Sequence, residues 1–266
     1  MTDIYLTNFG NHVKGYKPYN DYLKFADLEI FKNHKDFNYM TEHLGETQKK
    51  FGMFFFNLIM DLKMINIDFF ISLINMNDKI GKPTTYEINN AIPKCSPNTL
   101  KYIYFGLLNI KHIQTNNLNN FDFIEIGGGY GGQCVILLKL FEHFKINISK
   151  YILIDIQDVV KFQKKYVDYL IPDNNSIDLS FSIKNLIEYE FSQNSYMFSS
   201  YSFSEIQPEI RNIYYTHLFT FIKHGLIIWP CFEVDLPKSI KYIKKKTSLP
   251  TPKNLDNASV GEFIYF

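Results

Sequence analysis

The sequence predicts an α/β fold, a Rossmann-like doubly wound sheet with a helical cap in front of it. Three observations carry this expectation. An apolar segment, FDFIEI at Phe121–Ile126, runs directly into a glycine cluster, GGGYGGQ at Gly127–Gln133. Beyond that cluster, short apolar runs alternate with amphipathic runs of helical period, the pattern of βαβ units and a parallel sheet. Upstream, from about Tyr19 to His112, apolar residues recur at helical spacing with no strand-like alternation. The expected division is a helical N-terminal cap region, 1–115, and a Rossmann-like domain, 116–266.

The elements follow in order. Gly131–Phe144 (GGQCVILLKLFEHF) predicts the helix whose N-terminus faces the loop. Lys150–Ile156 (KYILIDI) reads as a short buried strand ending near Asp155. Gln157–Leu170 reads as a second helix, stopped by Pro172. Ser176–Ile183 and Tyr196–Phe203 alternate as strands, and a long helix is expected from about Glu205 to Lys223. Gly225 reads as its stop, before a buried strand at Leu226–Phe232 (LIIWPCF). Gly261–Phe266 (GEFIYF) is expected to close the sheet as an edge strand. In the cap, Gly81, Pro83, Pro93 and Pro97 punctuate the helices, and Asn116–Asn120 reads as the linker into the first strand.

Composition narrows the function classes. A chain of 266 residues is long enough for one substantial α/β domain with a helical appendage. A net charge of +1 gives no electrostatic case for a nucleic-acid or membrane-surface partner. The one basic run, Lys241–Lys246, is short and reads as a solvated face. Cys95, Cys134 and Cys231 are far apart, without metal spacing, and read as reduced thiols of a cytoplasmic protein. No secretory leader is expected, since Met1–Gly10 carries Asp3 and Asn8. The most apolar window, Phe51–Ile74, is broken by Asn57, Asp61, Lys63, Asn66 and Asp68, too often for a membrane span. A homo-oligomer is compatible with the chain.

The glycine loop is the main candidate site. A strand ending in Gly127, Gly128, Gly129, Gly131 and Gly132 lets backbone amides and a helix N-terminus approach a nucleotide-like ligand. Gly127, Gly129 and Gly132 satisfy the dinucleotide pattern G-x-G-x-x-G. Glu125, Gly127, Gly129 and Gly131 equally satisfy E-x-G-x-G-x-G, the pattern of class I S-adenosylmethionine (SAM) methyltransferases. Glu125 favours SAM, because a carboxylate there suits a methionyl amino group and would repel a pyrophosphate. Asp155, at the end of the next strand, is placed to accept ribose hydroxyls, which SAM and NAD share. The Ser199–Glu205 segment should share that rim, with Ser204 a candidate helix cap and Tyr201 and Glu205 candidate chemistry. His217 and His224 read as two histidines on one helix face. No zinc spacing exists, and a carboxylate set of Glu205, Glu233 and Asp235 is a weak signal for a divalent ion, so no metal is expected.

Four segments in this order resemble the sugar O-methyltransferase family of surface-polysaccharide gene clusters. They are NDKIGKP (Asn77–Pro83), SPNTLKYIYF (Ser96–Phe105), GGGYGGQ (Gly127–Gln133) and SSYSFSE (Ser199–Glu205), and the aromatic strand LIIWP (Leu226–Pro230) follows in similar spacing. The resemblance spans about residues 70 to 235. Ser200 departs from it, standing where the family pattern S-N-Y-A-F-S-E has Asn. The resemblance implies that Glu125, Gly127, Gly128, Gly129, Gly131, Gln133, Asp155 and Ser199 lie at the SAM site. It implies Tyr201 and Glu205 at the methyl-transfer centre, with Asn77, Asp78 and Gly81 closing over it from the cap.

The implied activity is SAM-dependent methylation of a sugar hydroxyl, on a nucleotide sugar or a glycan. Glu205 and Asp78 are the candidate bases, with His224 third. Two alternatives stay open at the level of sequence. One is an NAD(P)-dependent oxidoreductase using the same loop; Tyr242 and Lys246 match its Y-x-x-x-K spacing, but no suitable serine lies upstream. The other is a catalytically degenerate scaffold subunit of the same fold.

Overall fold

The structure, a computed structural model, describes residues 16–41, 46–172, 178–181, 190–229, 245–248 and 262–266. The N-terminal region is helical: α1 (Tyr16–Leu23), a 3₁₀ turn (Phe31–Asn33), α2 (Lys35–Thr41), α3 (Glu46–Leu62), α4 (Ile67–Asp78) and α5 (Pro97–Thr115). The apolar window at 51–74 divides where the polar residues fall. Lys63 turns left-handed (φ 51°), and the Asn66 side chain caps α4 by accepting the Phe69 amide at 2.9 Å. Asn117 and Asn120 in the linker also take positive φ, a conformation Asn tolerates better than most residues.

The sheet follows, with β1 (Phe121–Ile126), α6 (Gly132–Phe144), β2 (Ile148–Ile154), α7 (Gln157–Leu170) and β3 (Asp178–Phe181). Next come β4 (Ser195–Ser200), α8 (Ser202–Glu205), α9 (Pro208–His217), β5 (Ile222–Trp229), β6 (Lys245–Ser248) and β7 (Glu262–Tyr265). The strand order is β3-β2-β1-β4-β5-β7-β6. The first five strands pair in parallel, and β7 runs antiparallel to both β5 and β6. A doubly wound dinucleotide sheet has the order 3-2-1-4-5-6. The reversed strand inserted beside the fifth sets this Rossmann-like sheet apart from that order.

Four expectations differ from the structure. The segment GEFIYF does not form an edge; β7 lies between β5 and β6. The long helix from Glu205 to Lys223 is two helices and the start of a strand. Pro208 opens α9 and forces Gln207 to an extended ψ of 144°, which separates α8 from α9. Gly225 stops no helix, because it lies inside β5. Its amide and carbonyl pair with those of Phe266 at 3.0 and 3.2 Å, and a side chain there would meet the Phe266 ring and the Met197 carbonyl. His217 and His224 therefore share no helix: one ends α9 and the other lies near the start of β5. The segments at 230–244, with Cys231, Glu233, Asp235 and Tyr242, lie outside the described residues.

Strands β1, β2, β4 and β5 divide their side chains between two cores. Phe121, Phe123, Tyr151, Leu153, Tyr196, Phe198, Leu226 and Ile228 face a core shared with α6, α7 and the N-terminal helices. Ile124, Ile126, Ile152, Ile154, Met197, Ile227 and Trp229 face a second core closed by residues of α8 and α9. Burial on both faces is what a central parallel strand requires, and β1 is buried at every position. The first core continues without a break from the sheet into α3, α4 and α5. No helix among the described residues is long and apolar enough to cross a membrane.

Gly225→Ala should lower stability by about 1–3 kcal/mol through overpacking against Phe266 and the Met197 carbonyl. Urea unfolding measures this, and an unchanged midpoint would show that β7 yields without cost.

Candidate functional site

The glycine loop stands at the carboxyl end of β1, where ligands of such sheets bind. Gly127 takes φ +76°, its amide donates to the Ile154 carbonyl at 2.8 Å, and a Cβ there would strike the Ser202 side chain. Gly129 takes φ +56°, and near its Cβ direction the one atom within van der Waals reach is the Tyr19 hydroxyl, at 3.7 Å. The first position thus needs glycine for packing, and the second keeps its surroundings open. Gly131, also left-handed, precedes the first turn of α6 and bonds back to the Gly128 carbonyl at 2.9 Å.

Asp155 follows β2 directly and is half-buried. Its carboxylate accepts the Ile156 amide at 2.8 Å and the Gln163 side-chain amide at 2.7 Å, and the nearby Gly129 and Gly128 amides also favour its charged form. Burial pushes its pKa up to about 6 against those bonds. Gln163 also donates to the Gly129 carbonyl at 2.8 Å, so one side chain of α7 clamps both the loop and the acid.

Glu125 is buried on the same face of β1 as Phe123. The Tyr151 hydroxyl donates to it at 2.5 Å, and burial pushes its pKa up to about 8. At neutral pH this carboxyl therefore holds its proton. Ser199 is fully buried; its hydroxyl donates to the Ile126 carbonyl at 3.0 Å and accepts the Phe203 amide at 3.1 Å. It ties β4 to β1 and starts α8. The cap expected of Ser204 is thus supplied by Ser199, and Ser204 instead donates to the Tyr201 carbonyl.

Tyr201 has φ +65° and ψ −38°, a strained conformation for a residue with a bulky side chain. Its amide donates to the Ile228 carbonyl at 2.9 Å, and its ring lies 6.2 Å from that of Phe105. That kink places Ser202, whose hydroxyl donates to the Gly127 carbonyl at 3.1 Å. Glu205 is exposed at the end of α8. His224 is on the opposite end of the sheet from this rim, near His112 and level with Tyr196. It cannot serve as a base at the loop.

The cap reaches the loop through a buried polar cluster. Tyr130, inside the glycine run, packs edge-on or tilted against Phe31, Phe37, Tyr102 and Tyr166. The Lys32 ammonium is buried over the rings of Phe31, Tyr130 and Tyr166, at 5.5, 4.9 and 5.4 Å. It donates to the Asn77 carbonyl, and the Asn77 amide reaches Thr99 at 2.6 Å and Tyr130 at 3.2 Å. Asp78 accepts the Ser96 amide at 2.7 Å and the Thr99 hydroxyl, which fixes the start of α5. Burial raises the Asp78 pKa, with Lys32 the main opposing influence. Gly81 (φ +87°) accepts the Lys32 amide at 2.9 Å, closing the turn over the same cluster.

The structure therefore gathers Glu125, the glycines, Gln133, Asp155, Ser199 and Tyr201 around one loop, with Asn77 and Asp78 tied to it through Tyr130. Tyr19, Lys32 and Gln163 were not singled out from sequence, because a Tyr, a Lys or a Gln on an amphipathic helix carries no local mark of its tertiary role. Among the described residues, no three or more His, Cys, Asp or Glu side chains gather as a metal site.

No protein-family model matches the chain, and no curated protein matches it. Among solved structures, it is similar to the magnesium protoporphyrin IX methyltransferase from Synechocystis PCC 6803 with bound SAM, at 11% identity and a TM-score of 0.43. That overlap covers 62% of this chain and 81% of the other. The citrinin polyketide synthase CMeT domain overlaps at 10% identity and a TM-score of 0.45, covering 64% and 53%. A SAM-dependent methyltransferase from Clostridium acetobutylicum ATCC 824 overlaps at 12% identity and 0.38, covering 48% and 50%. Overlaps this small carry no argument about activity, and the fold rests on the strand order.

Glu125 makes stability depend on pH. The folded protein holds its proton up to about 8, while the unfolded chain releases it in the ordinary carboxylate range. This contribution is complete below the unfolded value and is lost as pH rises through the folded one, at up to ~1.4 kcal/mol per pH unit. Glu125→Gln does not titrate, so its stability should fall less between about pH 5 and about pH 8. Urea titrations across that range check it; equal declines in both proteins would contradict the buried, protonated Glu125.

Proposed function

We propose that this protein is a SAM-dependent O-methyltransferase that acts on a sugar hydroxyl. The observation that carries the cofactor is the Asp155–glycine loop pair: an acceptor-only carboxylate beside loop amides at the carboxyl rim. A ribose diol can donate to Asp155, while Gly129 keeps its surroundings open for the ligand. Gln133, in the first turn of α6, lies beside them. Glu125 and Ser199 brace the loop from beneath, through Tyr151 and the Ile126 carbonyl. The buried Tyr19 hydroxyl, with no partner beside Gly129, fits a site completed by a ligand. The sugar acceptor rests on the resemblance of the four sequence segments.

SAM, when bound, supplies an activated methyl group on a sulfonium with an excellent leaving group. The protein's own part is alignment, which can contribute ~7–11 kcal/mol, and removal of the acceptor proton, worth ~10²–10⁴-fold. Tyr201, held in its kink beside Ser202 and the loop, shapes the acceptor side. Of the two carboxylates considered as base, Asp78 is turned toward Ser96 and Thr99 at the start of α5, whereas Glu205 lies within one turn of Ser202, which bonds the glycine loop. Glu205 is therefore the proposed base.

The oxidoreductase alternative is disfavoured by the inserted antiparallel β7, which the dinucleotide sheet order lacks. Thermal unfolding with SAM, S-adenosylhomocysteine and NAD(H) in parallel tests the cofactor. SAM or S-adenosylhomocysteine at ~100 times its dissociation constant should add ~2.7 kcal/mol, and NAD(H) nothing. Stabilisation by NAD(H) alone would end the methyltransferase reading, and none by any would favour a scaffold. Glu205→Gln should retain S-adenosylhomocysteine binding and lose ~10²–10⁴-fold in turnover on sugar acceptors; unchanged turnover would remove Glu205 from the role.

A further inference from the structure

Three buried polar atoms around Tyr102 have no hydrogen-bond partner: the Tyr19 hydroxyl, Asn98 Oδ1 and Gln133 Oε1. The residues that carry them are 4%, 5% and 2% exposed. Unpaired buried polar groups are uncommon in native proteins, and each costs free energy unless something completes it. These three come from three helices, α1, α5 and α6, and each lies against Tyr102 or the glycine loop. Asn98 Nδ2 donates to the Tyr102 hydroxyl at 3.1 Å, and Gln133 Nε2 donates to the Tyr102 carbonyl at 3.1 Å. Tyr19 is close enough to feel both Tyr102 and Asp155 electrostatically, and its hydroxyl is beside Gly129.

The chemistry of the three atoms is complementary to one kind of group. Asn98 and Gln133 each donate one amide N–H to Tyr102 and present a side-chain carbonyl oxygen, which can only accept. The Tyr19 phenol, kept protonated because burial raises its pKa, can donate. Two acceptors and a donor match the ammonium and carboxylate of a free α-amino acid end. Glu125, the acid expected to meet such an ammonium, is instead bonded to Tyr151 and protonated at neutral pH. We propose that Tyr19, Asn98 and Gln133 form a socket for the zwitterionic amino-acid end of the cofactor. Helix α1 thereby becomes part of the cofactor site, and Lys24, just past its end, pairs with Asp158 of α7 at 3.0 Å. This assignment rests on the SAM reading above.

Calorimetric titration of the full chain with two ligands tests it: S-adenosylhomocysteine, which carries the amino-acid end, and 5′-methylthioadenosine, which lacks it. Tyr19→Phe and Asn98→Ala should each weaken S-adenosylhomocysteine about tenfold and leave 5′-methylthioadenosine unchanged. The ligand-free Tyr19→Phe protein should melt no lower than its parent, since the lost hydroxyl had no partner. Equal losses for both ligands, or none for either, would overturn the socket while leaving the cofactor reading intact. Failure of the unmodified protein to bind S-adenosylhomocysteine would overturn both.

Discussion

Tyr130 is the only residue with a side chain between Gly127 and Gly132, and it is buried away from solvent among aromatic residues of the cap and α7. Five glycines in a row of six would otherwise be a costly segment to order, since each loses more backbone freedom on folding than any other residue. Tyr130 supplies the packing that its neighbours cannot. Its ring lies beneath the Lys32 ammonium and its hydroxyl meets Asn77, so the loop is bolted to the helices that precede it. The buried cation is tolerable because three rings, the Asn77 carbonyl and the nearby Asp78 surround it.

From that bolt the other constraints follow in sequence. Asp78 holds the start of α5, α5 packs on α6, and Gln133 in α6 reaches back to α5 at Tyr102. On the other flank, Ser202 covers Gly127 and Gln163 clamps Gly129 to Asp155. The loop backbone is thus fixed from both sides with little help from its own side chains. Preorganisation of this kind keeps the cost of ordering out of ligand binding.

Much of this was legible in the sequence. β1, α6 and α7 announce themselves because their apolar periods are strong and a glycine or proline marks one boundary, while β2, known by its apolar run alone, begins two residues before the expected Lys150. The spacing of the glycines and Asp155 implies that they share one rim, and Gln163 bonds both. What was hidden is tertiary. Gly225 reads as a helix stop, yet its reason is the ring of Phe266, far along the chain but paired directly with it. The place of β7 cannot be told from four alternating residues, because alternation fixes a face and not a neighbour. Glu125 looks like a free carboxylate in the strand, and only the burial and Tyr151 make it protonated. Tyr19, Asn98 and Gln163 gain meaning only from the residues that do, or do not, meet them.

The central claim is that the glycine loop and the helical cap form one ligand site built on Tyr130. Hydrogen exchange with and without S-adenosylhomocysteine tests it most directly. The account predicts slowed exchange both at the amides of Gly128–Gly132 and in helix α1, with the two regions protected at the same ligand concentration. Protection confined to regions away from the loop, or to the loop with α1 unaffected, would contradict it.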